Sequence, residues 1–106
     1  MDYLAAYRDF LVNTKHASDN TVASYLRDIR QFYTYLDEAA MPVERVTHDD
    51  AAAYAAYLTD HGKSPATISR SIASLRSFYN YLVSLGAVAA CPIQDIQVAK
   101  KEKKLP

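Results

Sequence analysis

The chain reads as all-α, a bundle of four to five helices arranged as two crossed pairs. Three observations predict it. Apolar residues recur at the three-and-four spacing of a helix face along four stretches. The two glycines, Gly62 and Gly86, each fall where such a pattern stops, as suits a residue that accepts left-handed backbone at a helix end. Residues able to cap free backbone amides, Ser18 to Asn20, Thr47 and Ser64, stand immediately before three of the stretches. With 106 residues, half of them apolar, one modest core is feasible without metal or disulfide help.

The first helix carries Tyr3, Leu4, Tyr7, Phe10 and Leu11 and closes in the polar run Asn13 to Asp19. The second opens on Ser18, Asp19 and Asn20, carries Val22, Leu26, Ile29, Phe32, Tyr33 and Leu36, and runs to about Asp37; Pro42 then breaks the chain. Thr47 and Asp50 resemble a capping box, with Val46 placed to staple onto the next turn, so a third helix spans His48 to about Asp60 with Tyr54, Ala55 and Leu58 inward. Ser64 followed by Pro65 reads as cap and first position of a fourth helix. Its stripe is Ile68, Ile72, Leu75, Phe78, Tyr79 and Leu82, up to Gly86. Beyond Cys91 and Pro92 the pattern weakens to Ile93, Ile96 and Val98, then the charged run Lys100 to Lys104. No internal repeat stands out. The organisation expected is a domain over 1–90 and a linker over 91–106.

Cys91 has no internal disulfide partner, and no secretory signal, transit segment or membrane-length apolar run is seen, so a reducing, soluble, cytoplasmic setting without a membrane partner is expected. His16, His48 and His61 lie far apart without ligand spacing, and Gly62 and Gly86 form no phosphate loop; no metal and no cofactor is expected. Net charge is zero, yet residues 1–62 hold five Lys/Arg against ten Asp/Glu, while residues 63–106 hold seven against two. A neutral total conceals a basic second half.

Advancing by about 100° per residue puts Asn20, Ser24, Arg27 and Gln31 opposite the apolar face of the second helix, with Asp28 at the edge. On the fourth helix Thr67, Arg70, Ser74, Ser77 and Tyr81 share one shoulder and Ser69, Arg76 and Asn80 the other. No acid occurs from Gly62 to Pro92. Small donors and arginines without interspersed carboxylates suit a phosphate backbone, although solvated helix faces also carry such residues.

Read as strings, Ser18 to Leu36 and Lys63 to Leu82 resemble the two best-known stretches of the amino-terminal, SAM-like core-binding domain of tyrosine recombinases, Xer proteins and phage integrases among them. The order S-x-N-T-x-x-S-Y-x-R-D-I, a variable helix, S-x-x-T-I-x-R-x-I-x-x-L-R-x-F-Y and a proline-bearing linker spans nearly the whole chain. The resemblance implies the non-catalytic arm of a site-specific recombinase, gripping duplex DNA with helices two and four during integration or recombination. Other protomers would join it on DNA, and the isolated domain would be a monomer. The residues carried over are Asn20, Thr21, Arg27, Ser64, Thr67, Arg70 and Arg76. Lys63 at the head of the second string joins them, as do Ser24, Gln31, Ser74 and Ser77 from the face arithmetic. Arg70 and Asn20 are favoured to reach base edges, and Arg70→Ala is expected to weaken binding by about 1 to 3 kcal/mol while leaving thermal stability nearly unchanged.

Alternatives stay open. Thr21 is also placed to act as a cap, Tyr25 as core, and Arg76 as partner to an acid of helix one or three. The nucleophilic tyrosine and its assisting residues belong, in that family, to a carboxy-terminal domain absent from this chain, so the fragment is not expected to be an enzyme. A different reading is a helical protein-interaction module anchored by exposed Tyr35, Tyr57 and Tyr81.

Overall fold

The computed structural model describes residues 2–93 and residue 96, and every regular element among them is helical. α1 (Tyr3–Asn13), α2 (Asp19–Glu38), α3 (His48–Asp60) and α4 (Pro65–Ser84) follow one another, with a short 3₁₀ turn at Val43–Arg45. The four expected helices are present, close to their expected ends. Each begins on a side-chain cap: Asp2 accepts from the Ala5 amide, Ser18 from Thr21, Thr47 from Asp50 and Ser64 from Thr67. At α3 the Asp50 carboxylate also accepts from the Thr47 amide at 3.0 Å, which completes the capping box.

Three helices end alike. The amides of Met41, Lys63 and Ala87 reach back to the carbonyls of Leu36, Leu58 and Leu82, which requires left-handed backbone one residue earlier. Gly62 (φ 77°) and Gly86 (φ 78°) meet that need without steric cost, but at the end of α2 the position is Ala40 (φ 56°). The second helix therefore stops at Ala40, ahead of Pro42.

α2 and α4 lie against each other through the middle of the molecule, α1 packs on both, and α3 packs on α4. Tyr7, Ile29, Phe32, Phe78, Tyr79 and Leu82 are fully buried between them. Past α4 the chain returns to the core, with Ile93 and Ile96 both buried. The packing expected of these two residues is present, whereas Val98 and the Lys100 to Lys104 run lie outside the described residues.

The fold corrects the expectation of a chain without repeats. α2 and α4 are each 20 residues long. Ser18, Thr21, Leu36 and Ala40 correspond to Ser64, Thr67, Leu82 and Gly86 at a constant separation of 46, the separation also of Asp28 and Ser74. Arg30-Gln31-Phe32-Tyr33 recurs as Arg76-Ser77-Phe78-Tyr79. Buried Tyr7 and Leu11 precede α2 as buried Tyr54 and Leu58 precede α4. The molecule is two helical hairpins in tandem. The shared Ser/Thr caps and equivalent apolar stripes carry the likeness, while most polar positions between them differ, which hides it from a reading of polar motifs.

Candidate nucleic-acid interface

Both S-x-x-T motifs are helix starts before they are anything else. Ser18 Oγ accepts from the Thr21 amide and donates to Thr21 Oγ1 at 3.0 Å; Ser64 Oγ does the same with Thr67 at 3.1 Å. The serine hydroxyl is thereby used as both donor and acceptor. Each threonine hydroxyl keeps its own proton for an outside acceptor. Asn20, Arg27, Gln31, Lys63, Ser64 and Arg70 are exposed, and Thr21, Ser24 and Thr67 half-buried.

The centre of the surface differs from the expected arrangement. Asp28, expected at the edge of a solvated face, is 1% exposed, and Ser74, expected to point outward, is 0% exposed. The reason is that α2 and α4 pack directly, so the near shoulder of α4 turns into the joint. Arg70 Nε donates to Asp28 Oδ2 at 3.1 Å and Nη2 to Oδ1 at 2.9 Å, and Ser74 Oγ donates to Oδ2 at 2.9 Å. Three donors thus compensate a carboxylate removed from water, as a buried charge requires. These hydrogen bonds, and the carboxylate's charge, push the Arg70 pKa further up. The guanidinium has five N–H groups, and two of them face Asp28. With the Arg70 side chain 44% exposed, the remaining edge is presented to solvent in a fixed orientation.

The clasp brings the head of α4 onto the middle of α2. A second contact does the same: Gln31 and Thr34 of α2 line one recess with Tyr54 and Tyr57 of α3 and with His61 and Lys63 of the turn that follows it. Gln31, Lys63 and Arg70 therefore belong to one region of the surface, where Arg27 is also exposed one residue before Asp28. Asn20 and Thr21 lie about two turns further back along α2. Arg76 is elsewhere, in a groove with Phe10, Lys15, Ser77, Asn80 and Tyr81. No carboxylate lies within ion-pair distance of it among the described residues, against the option of an acid partner on α1 or α3. Ser77 pairs with the Tyr7 hydroxyl at 2.7 Å. His61 and Tyr57 were not legible as site residues, since nothing in a lone histidine at a helix end announces a neighbour on another helix.

Tyr7, Tyr33 and Tyr79 serve the core. Burial pushes the Tyr7 and Tyr33 hydroxyls up to about 12, and Tyr79 donates to the buried Val43 carbonyl at 2.7 Å. Tyr35, Tyr57 and Tyr81, expected as exposed anchors, are half-buried in aromatic contacts: Tyr35 lies 4.9 Å from Tyr54 and 4.8 Å from Tyr57, and Tyr81 lies 4.7 Å from Phe10.

Fold and surface together define a SAM-like helical bundle with a polar surface assembled from α2, the α3–α4 turn and the head of α4. The chain belongs to the family described as phage integrase, N-terminal SAM-like domain, which matches residues 4–86. It is 34% identical over 107 residues to the tyrosine recombinase XerD of Listeria innocua, covering 99% of this chain and 36% of that protein. The corresponding figures are 35% over 99 residues for XerD of Oceanobacillus iheyensis (92% and 33%) and 32% over 108 residues for XerC of Pediococcus pentosaceus (100% and 36%). The chain thus spans about a third of the length of the curated relatives it matches. No solved structure matches it. Among the described residues no helix is long and apolar enough to cross a membrane.

Proposed function

We propose that the chain is the DNA-gripping amino-terminal arm of a site-specific tyrosine recombinase or integrase, working in integration or recombination beside a separate catalytic domain. The observation that carries this reading is the Asp28–Arg70 clasp, which holds the acid-free head of α4 against the donor-bearing middle of α2. The acid within that surface is already neutralised by its own partners. Arg27, Lys63 and Arg70 meet phosphates, Thr67 and Ser24 add hydroxyl contacts, and Asn20 and Thr21 extend the footprint toward the start of α2. Arg70 offers an end-on pair of N–H groups, the geometry that reads the O6 and N7 edge of guanine. Arg76 meets DNA only where the duplex passes over the α1–α4 groove. Other protomers assemble with this one on DNA, the cell compartment is the cytoplasm, and the chain alone cuts no strand. The linker toward the catalytic domain is taken as 91–106, with Ile93 and Ile96 of it packed on the core.

Filter binding to duplex DNA tests the reading. Three phosphate contacts give a salt slope near −2.7, so affinity falls by roughly 40-fold between about 50 and 200 mM salt. No retention of any duplex at about 50 mM salt would remove the proposal. Tyr35, Tyr57 and Tyr81 are half-buried in aromatic contacts rather than free anchors, which weakens the protein-interaction alternative.

A further inference from the structure

The two hairpins place equivalent recesses on the two sides of the molecule, and they have been finished differently. Beneath the α1–α4 groove, buried Tyr7 meets the groove-lining Ser77 of α4, hydroxyl to hydroxyl at 2.7 Å. Tyr54 is the counterpart of Tyr7 in the second hairpin, and the position corresponding to Ser77 is Gln31. There the pair is not made. Tyr54 is 1% exposed, and its hydroxyl is the buried side-chain polar atom without a hydrogen-bond partner among the described residues. An unpaired buried hydroxyl is costly, and its retention calls for a reason.

The recess that Tyr54 lines supplies one. It has a volume of about 340 Å³ and is bounded by Gln31, Thr34, Tyr57, His61 and Lys63, with no carboxylate among its lining residues. The imidazole of His61 lies 4.1 Å from the Tyr57 ring, and its Nδ1 is 2.8 Å from the Tyr57 carbonyl. A carbonyl can only accept, so Nδ1 carries a proton and Nε2 is the nitrogen left for an outside group, a donor to an anion in the imidazolium form. An ammonium, an imidazole, an amide and a phenol thus surround one small space beside an aromatic wall.

We infer that this recess is the seat of one phosphate group, held by Lys63, Gln31, His61 and the Tyr54 hydroxyl, with the adjoining sugar against Tyr57. The inference rests on the DNA reading for its occupant, a backbone phosphate of the bound duplex, and adds α3 to the helices that touch DNA. A free phosphate ion shares the chemistry and serves as the probe of the seat itself.

The test uses the whole chain with side-chain NMR signals of Tyr54, Tyr57, His61 and Lys63, titrated first with inorganic phosphate and then with a short duplex, alongside salt-dependent filter binding of Lys63→Gln and Tyr54→Phe. Support is perturbation of these four residues by both ligands, a Lys63→Gln salt slope lower by about one unit, and weakening alike on unrelated sequences. Tyr54→Phe is expected to raise the melting midpoint by a few degrees while weakening duplex binding about 3- to 10-fold, since it removes a hydroxyl paired only in the complex. A duplex that binds the wild type while the four residues stay silent and both variants behave as wild type overturns the seat and leaves the DNA reading intact. Phosphate binding without duplex binding overturns the assigned occupant and the DNA reading together. No response to either ligand overturns both proposals.

Discussion

Arg70→Ala separates what the helix face implies from what the structure implies. On an outer face the substitution would cost little stability; across the clasp it deprives a carboxylate that is 1% exposed of two of its three donors. Removing one partner of a fully buried pair costs about 3–5 kcal/mol. Here the guanidinium side is 44% exposed, so the truncated side chain admits water to the carboxylate, and Ser74 remains as a donor. Those two facts bring the expected loss to about 2–3 kcal/mol. For a domain of this size that is a fall in the melting midpoint of roughly 8–20 °C. Thermal unfolding followed by circular dichroism at neutral pH and low salt measures it. A thermodynamic cycle with Asp28→Ala isolates the pair: the double variant should be more stable than the summed single losses imply, by about 1–3 kcal/mol. Arg70→Lys should recover part of the loss, because an ammonium cannot give the two parallel hydrogen bonds. A midpoint within about 3 °C of wild type for Arg70→Ala would refute the clasp as a stabilising contact. Reduced DNA binding by this variant is interpretable only at temperatures where it is folded.

Tyr79→Phe should lose about 1–3 kcal/mol, because the Val43 carbonyl that Tyr79 serves is left buried without a donor; an unchanged urea midpoint would show that water takes over the role. Ala40→Gly should gain roughly 0.5–1 kcal/mol by relieving left-handed backbone at the end of α2, visible as a midpoint a few degrees higher, and a loss would mean that the alanine methyl packs usefully. Alkali should unfold the domain: Tyr7 and Tyr33 have folded pKa values raised to about 12 against an ordinary 10, so their contribution is fully present below about pH 10 and is lost as pH rises through about 12. Tyrosinate absorbance and helical signal should change together over that window, and ionisation of the buried tyrosines near pH 10 with helices intact would contradict it.

The helices were legible because caps and apolar spacing are local signals. Ser18, Thr47 and Ser64 announce the starts of α2, α3 and α4, and Gly62 and Gly86 the stops of α3 and α4. The end of α2 was legible to within a residue, Asp37 against Glu38, but the left-handed turn at Ala40 that closes it was not, since alanine gives no hint of such backbone. The surface was half legible. Asn20, Arg27, Gln31 and Arg70 are exposed as face arithmetic expects, yet the same arithmetic put Asp28 at the edge of the solvated face and Ser74 outside. Angles around one helix say which residues share a side; they do not say how far a neighbouring helix covers that side. Contacts between residues 42 to 46 positions apart, such as Asp28 with Arg70 and Ser74, follow from packing alone. The recess beside Tyr54 was invisible for the same reason, being built from α2, α3 and the turn before α4.

Asp28 and Ser74 occupy the same place in the two hairpins, and they touch. A position that meets its own counterpart is where faithful duplication is penalised. Aspartate in both would set two carboxylates against each other with one arginine to answer them, and serine in both would leave that arginine without its anion. The halves are obliged to differ where they come closest. That one inequality settles which hairpin carries the acid and which supplies its donors, and so gives a nearly symmetric object a front and a back.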